Sequence, residues 1–444
     1  MFNERETLKI NKQGHLEIGG ADCVDLTKEF GTPVYAFDEA YIREMMRVYK
    51  KTLDTHYNGN GMVLYASKAF SCKAIYRIAD EEQIGVDVVS GGELYTALQA
   101  GFPSGKIYMH GNNKLDYELG EALDAGIGCI VADAYSEIDK IEVEAAKRGM
   151  VQSVLLRINP GVEAHTHAFV QTATTDSKFG FSLQDGTAEK ITEYVLTKKH
   201  VKLEGYHCHI GSQIFEKQSF VLAVEKCLDF AAEMKEKYGF ILEKLNMGGG
   251  YGVWYTDEDR KIPSSGYAEY LEALIQAVKK KAKEKDLKLP YLLLEPGRSI
   301  VAEAGITLYT VGAIKDIPGI KKYIAIDGGM FDNPRYALYQ SKYTPVLANR
   351  ANEEATEIVT IAGKCCESGD LIAVNVSLPC AKSGDILAVL STGAYNYSMA
   401  MNYNRNFIPP CILVKDGKAE YIVNRQTYED ITRNDVIPER LKKK

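Results

Sequence analysis

Eight short apolar runs, each four to eight residues long, alternate with helical patterns between residues 62 and 295. They cover 62–66, 84–89, 106–109, 128–132, 153–158, 202–209, 242–247 and 291–295. Runs this short, mostly apolar and rich in β-forming residues, suit strands buried on both faces. Between them lie amphipathic stretches such as 219–238 and 267–285, with Asp38 and Ser219 as candidate N-caps and Glu39 suited to a first helical turn. Eight strands alternating with helices over about 250 residues predict a closed (β/α)8 barrel.

After Gly297 the texture changes. Runs 304–314, 322–326, 357–362, 371–377, 385–390, 411–415 and 420–424 read as strands separated by turn residues, which predicts an antiparallel β domain. Residues 1–36 lack a strong helical pattern and carry β-like pieces near Leu16–Ile18 and Val34–Phe37. The expected division is a barrel over 37–300 and a β domain built from 1–36 plus 301–444. A chain of 444 residues is long enough for two such cores.

Bulk properties narrow the function. The 53 basic and 60 acidic side chains leave a formal charge of −7, which argues against nucleic acid as the main partner. No apolar run approaches the roughly 20 residues that span a bilayer. Met1–Ile10 is charged and has no signal-peptide core. Nine scattered cysteines without a Cys-x-x-Cys pair suit free thiols in a reducing cytoplasm.

Barrel enzymes assemble their sites at the C-terminal ends of the strands. Here those ends read Lys68, Ser90-Gly91-Gly92-Glu93, His110-Gly111-Asn112-Asn113-Lys114, Asp133, Arg157-Ile158-Asn159, His207-Cys208-His209-Ile210-Gly211-Ser212, Gly248-Gly249-Gly250 and Glu295-Pro296-Gly297-Arg298. Polar, glycine-rich ends at nearly every strand predict one shared pocket.

Lys68 closes an apolar strand, and burial would make its amine a better nucleophile toward an aldehyde. The triple glycine suits a phosphate cradle, strengthened by Ser212 and Arg298; the alternative is a flexible turn. Glu295 ends Tyr291-Leu292-Leu293-Leu294, where a carboxylate is costly unless paired. It reads either as a salt-bridge partner of a barrel-mouth cation or as the partner of a protonated pyridine nitrogen. His207 and His209 share a face if the strand runs through both, yet no acid or thiol follows at metal-ligand spacing, so no metal is expected. His209 suits stacking on an aromatic cofactor. Cys365-Cys366-Glu367-Ser368-Gly369-Asp370 offers a thiol able to give up a proton near neutral pH, or simply a buried apolar cysteine. Arg335 and Tyr339, four apart, would share a helical face and could grip a carboxylate, or form a surface pair.

Taken together these segments resemble fold-type III pyridoxal-phosphate-dependent decarboxylases, from about residue 30 to 430. The resemblance rests on Tyr65-Ala66-Ser67-Lys68, Asp87-Val88-Val89-Ser90-Gly91-Gly92-Glu93-Leu94, Asp176-Ser177-Lys178-Phe179-Gly180, His207 through Gln213, Gly248-Gly249-Gly250, Glu295 through Arg298, Cys366 through Asp370 and Gly393-Ala394-Tyr395, in that order. It implies an alanine racemase-like architecture, an α/β barrel with a C-terminal antiparallel β-sandwich or barrel. It further implies that Lys68 links to pyridoxal 5'-phosphate and that His209 stacks on the ring. Ser212, Gly248, Gly249, Gly250, Arg298 and Tyr395 would bind the phosphate. Glu295 would face the ring nitrogen, and Cys366 would donate a proton from the partner subunit of a homodimer with interfacial sites. Arg298, Arg335, Tyr339, Glu367 and Tyr395 would contact substrate. The implied reaction converts meso-2,6-diaminopimelate to L-lysine and CO2. The alternatives are a related substrate (arginine, ornithine, D-lysine or carboxynorspermidine) or a non-catalytic regulatory relative. The chain departs from the family's usual pattern at Ser67, where Val is common, at Phe70, where Asn is common, and across 165–172.

Overall fold

The computed structural model describes residues 4–162, 177–259 and 261–442. Segment 165–172, Asp176 and the last two lysines of the tail lie outside the described residues. The chain divides into two compact units, one of residues 41–254 and 259–302, the other of residues 1–40, 255–258 and 303–444.

The first unit is a barrel. Its strands are β1 (Gly61–Ala66), β2 (Gly85–Val88), β3 (Ile107–Met109), β4 (Cys129–Ala132), β5 (Gln152–Asn159), β6 (Val201–His207), β7 (Lys244–Asn246) and β8 (Tyr291–Leu294). All pair in parallel in sequence order, and β8 returns to β1 through Leu293↔Met62, which closes the ring. A two-residue strand, Phe181–Ser182, adds to the end of β5. Leu64, Tyr108, Cys129, Val131, Leu155 and Leu293 fill the interior, and each fully buried leucine contributes about 1.5–3 kcal/mol. Helices Glu39–Tyr57, Lys217–Tyr238 and Gly266–Glu284 are among those that follow or precede these strands. The first begins right after Asp38, as its sequence suggested. The second starts at Lys217 with Glu216 as its cap, so Ser219 lies inside the first turn rather than at the cap.

The second unit is built on a long strand, Gly305–Ile317. Its first half pairs with Val34–Asp38 and with Ile386–Val389, its second half with Lys321–Ile326. A register shift between Val311 and Ile314 separates the halves, which lets one strand serve two sheet regions. The pairing is mostly antiparallel, with parallel exceptions at Lys321–Ile326 beside Glu357–Ala362 and Cys411–Lys415 beside Val34–Asp38. Several short elements escaped the sequence reading, among them strand Leu8–Ile10 and helix Tyr428–Thr432. Cys23–Phe30 is a helix whose N-cap Asp22 accepts from the Val24 N–H, and Pro345–Leu347 is a strand on Ile386–Val389. No helix among the described residues is long and apolar enough to cross a membrane.

Candidate active site

Glu295 is the hub of the barrel's C-terminal face. It follows β8 directly, is 7 % exposed, and is met by groups from three other strands. Asn246, the last residue of β7, donates from Nδ2 to Oε1 at 2.6 Å. His110, just past β3, brings Nε2 to 2.7 Å from the same oxygen. His207, the last residue of β6, donates from Nε2 to Oε2 at 3.1 Å. Burial alone would raise the Glu295 carboxyl; the facing imidazoles outweigh it and hold it well below the usual range. Burial depresses both imidazoles in turn, His207 to about 4, so His207 is a neutral donor to an anion and His110 a neutral ring in close contact with it.

The sequence showed no acid at ligand spacing from His207; the fold supplies one 88 residues away. His110, His207 and Glu295 therefore form a trio with ligand atoms within 4.8 Å of one another. His207 Nε2 meets the carboxylate in a hydrogen bond of 3.1 Å, and His110 Nε2 lies 2.7 Å from it without hydrogen-bond alignment.

A cradle adjoins this hub. A Cβ at Gly249 would come within 2.0 Å of the Glu295 carbonyl oxygen, and one at Gly250, where φ is +108°, within 2.1 Å of the Gly211 carbonyl. No side chain fits there, so the turn presents bare backbone. Asn246 Oδ1 accepts from the Gly248 N–H at 2.9 Å, tying the cradle to Glu295. His209 reaches the cradle at Gly249 N, 3.4 Å away. β6 ends at His207, so the alternation that would pair the two histidines on one face stops short of His209, which sits in the following loop. Arg298 is 8 % exposed and donates to the Ser212 hydroxyl from Nε and Nη2.

Lys68 occupies the middle of a tight turn, Ser67–Ala69, after β1. Ser67 and Ala69 are buried while Lys68 itself is exposed, which corrects the expectation that burial activates its amine: the turn carries the residue out of the strand's apolar line. Its charge still bears on Asp87, Glu93, His110 and His209. Ser67 donates to Glu93 at 2.9 Å, and Phe70 is buried with its carbonyl accepting from Tyr65. The two departures from the usual motif thus have local partners.

Asp87 and Arg157 also point into the barrel mouth. Burial and then Glu295 drive the Asp87 carboxyl well up, and burial lowers Arg157, which stacks 4.2 Å over Phe179. Neither was given a role from sequence, and Asn246 was missed altogether. Each interrupts an apolar run with a polar residue (Val86-Asp87-Val88, Leu156-Arg157-Ile158, Leu245-Asn246-Met247), a costly arrangement that signals a partner.

The β unit gathers its own set. Arg335 and Tyr339 lie on one short helix, Arg335–Tyr339. The Arg335 guanidinium is buried, 5.2 Å over the Tyr339 ring and 5.3 Å over that of Tyr395. No acid pairs with it among the described residues; Met399 Sδ lies 3.9 Å from its Nη1, and the Tyr343 hydroxyl also bears on it. Tyr395 is half-buried with φ +68°. Cys366 and Glu367 are exposed and Cys365 is buried. Asp370 fastens their loop by accepting from Met330 N at 2.6 Å and Cys365 N at 2.7 Å, while Asn404 Oδ1 accepts from Cys366 N at 2.8 Å.

A barrel-mouth amine, an anionic carboxylate held by neutral imidazoles, a ring-sized imidazole and a glycine cradle beside a serine and an arginine fit a phosphorylated pyridine aldehyde. Together they define a pyridoxal-phosphate site on a (β/α)8 barrel. Residues 39–302 match the family described as pyridoxal-dependent decarboxylase, pyridoxal binding domain. The diaminopimelate decarboxylase of Bacillus subtilis is 49% identical over 430 residues, 97% of each chain. That of Synechocystis is 44% identical, covering 98% of this chain and 93% of its own. The crystal structure of diaminopimelate decarboxylase from M. jannaschii with L-lysine superimposes with a TM-score of 0.90 at 36% identity, over 98% of this chain and 99% of that one. The chain belongs to the pyridoxal-dependent decarboxylases, in the branch formed by the diaminopimelate decarboxylases.

Proposed function

We infer that the protein removes one carboxylate from meso-2,6-diaminopimelate, giving L-lysine and CO2, with pyridoxal 5'-phosphate as cofactor. The observation that carries this is Glu295, an acid kept anionic in a buried setting by His110, His207 and Asn246. When bound, pyridoxal 5'-phosphate supplies an aldehyde that captures amines and a ring that withdraws electrons from the substrate's α carbon.

The chain's residues take the following roles. Lys68 would hold the cofactor through its amine. Glu295 would face the ring nitrogen, and His209 would pack against the ring. Ser212, the N–H groups of Gly248 to Gly250, Arg298 and Tyr395 hold the phosphate. Arg335 and Tyr339 bind the carboxylate of the far centre, with Glu367 facing its amine and Arg298 and Tyr395 contributing further substrate contacts. Arg335 suits this because it is a buried cation, over the rings of two tyrosines and without an acid partner among the described residues. Holding the far centre would orient the near one for loss of its carboxylate. Cys366 would be the donor of a proton at the α carbon.

We further propose a homodimer in which Cys366 and Glu367, exposed on the single chain, serve the partner's site. A cytoplasmic location suits nine free thiols. The test is product identification with purified protein, cofactor and each of meso-diaminopimelate, arginine, ornithine, D-lysine and carboxynorspermidine. L-lysine and CO2 from diaminopimelate alone support the reading; a diamine product with no turnover of diaminopimelate overturns it.

A further inference from the structure

A carboxylate offers about four acceptor positions. At Glu295 two are taken by hydrogen bonds, from Asn246 at 2.6 Å on Oε1 and His207 at 3.1 Å on Oε2, while His110 Nε2 makes a close contact of 2.7 Å with Oε1; the three groups come from the ends of three different strands. We propose that His110, His207 and Asn246 are positioning residues that keep Glu295 a pure acceptor, so that the proton it shares with the cofactor's ring nitrogen stays on the nitrogen. This rests on the reading of Glu295 as the partner of that nitrogen.

The physical case concerns where one proton sits. A pyridinium and a carboxylate in a buried site face an alternative: the proton crosses over and leaves two neutral groups. Desolvation favours the neutral pair. Donors to the carboxylate favour the charged pair. Neutral donors do so without placing a second positive charge beside the ring. Burial holds both imidazoles neutral, and with the His207 proton on Nε2 the unpartnered Nδ1 of His207 is an acceptor rather than an unmet donor; His110 Nε2 lies close to Oε1 but off the hydrogen-bond line.

The trio is also braced. The His110 and His207 rings meet edge to face, centroids 4.8 Å apart at 73°. Asn246 is fixed in one amide orientation, since its Oδ1 accepts from Gly248 N while its Nδ2 faces Glu295. The remaining charged or titratable groups felt at this hub are Asp87, Arg157, Lys68 and His209, of which only Asp87 carries an acid.

The test uses holoenzyme loaded with pyridoxal phosphate labelled with 15N in the ring, and reads the ring-nitrogen chemical shift alongside the cofactor dissociation constant. The variants are His207→Leu, His110→Phe, His207→Gln and Glu295→Gln. The wild type should show a protonated nitrogen. His207→Leu and His110→Phe should move the signal toward the neutral form and lower kcat about 10- to 100-fold, with KM little changed. His207→Gln, which keeps a donor, should recover most of the shift. If Glu295→Gln moves the signal while neither histidine variant does, the proposal falls and the role of Glu295 stands. If Glu295→Gln leaves the signal unmoved, that role falls first. Loss of cofactor binding in every histidine variant, Gln included, would assign these residues a purely structural part and overturn the proposal.

Discussion

Arg298 meets the Ser212 hydroxyl with two of its nitrogens, Nε at 3.1 Å and Nη2 at 3.0 Å. The fork fixes the guanidinium plane and turns the hydroxyl's own proton outward, toward an anion that both can share. Ser212→Ala removes the acceptor and one donor together. Affinity for pyridoxal phosphate should fall about 10- to 100-fold, the range for one hydrogen bond to a charged group. Affinity for pyridoxal, which lacks the phosphate, should stay the same. Equilibrium dialysis with both compounds measures this; equal losses would place Ser212 away from the phosphate.

Arg335→Gln keeps a polar side chain but shortens it and removes its charge. The KM for diaminopimelate should rise about 10- to 100-fold, as a buried charge-assisted pair is lost. The ring-nitrogen signal of bound cofactor should not move, since Arg335 stacks on Tyr339 and Tyr395 rather than joining the Glu295 hub. Steady-state kinetics on diaminopimelate give the first quantity. A fall in kcat at unchanged KM would contradict a binding role.

Asp332 carries a pH signature of the β unit. It is fully buried, receives the Tyr309 hydroxyl and accepts from Gly329 N at 2.9 Å, and burial pushes its carboxyl up to about 8, with Asp370 and Asp327 adding to the rise. Between its ordinary value near 4 and about 8 the folded protein keeps a proton that the unfolded chain releases. Its contribution to stability is therefore fully present below pH 4, declines as pH rises through that window and levels off above pH 8. Asp332→Asn should lose this slope. Thermal unfolding from pH 5 to 9 checks it: a variant profile parallel to the wild type would show that another group titrates.

The barrel was legible because parallel strands are buried on both faces, so its strands stand out as short, mostly apolar runs, Tyr291–Leu294 most plainly. Short elements were not. Cys23–Phe30 is only eight residues long and is set by its Asp22 cap, and Pro345–Leu347 is three residues whose identity as a strand comes from its neighbour. The parallel pairing of Lys321–Ile326 with Glu357–Ala362 is a long-range choice that leaves no local mark. Within the site, residues offering chemistry on their own, such as Lys68, Glu295 and the triple glycine, could be singled out. Asn246 and His110 act only through Glu295, and that relation exists only once the strands stand side by side. The burial expected of Lys68 failed for a local reason, a one-turn reversal between two buried small residues that the run Ala66-Ser67-Lys68-Ala69 does not announce.

The central claim is that the Lys68 amine carries the cofactor. Borohydride reduction of the holoenzyme makes that link permanent, and peptide mass mapping then locates it. The account predicts one pyridoxyl group per chain, on the peptide containing Lys68, and none in Lys68→Ala. A stoichiometric label on any other lysine, or an unchanged label in that variant, would contradict it.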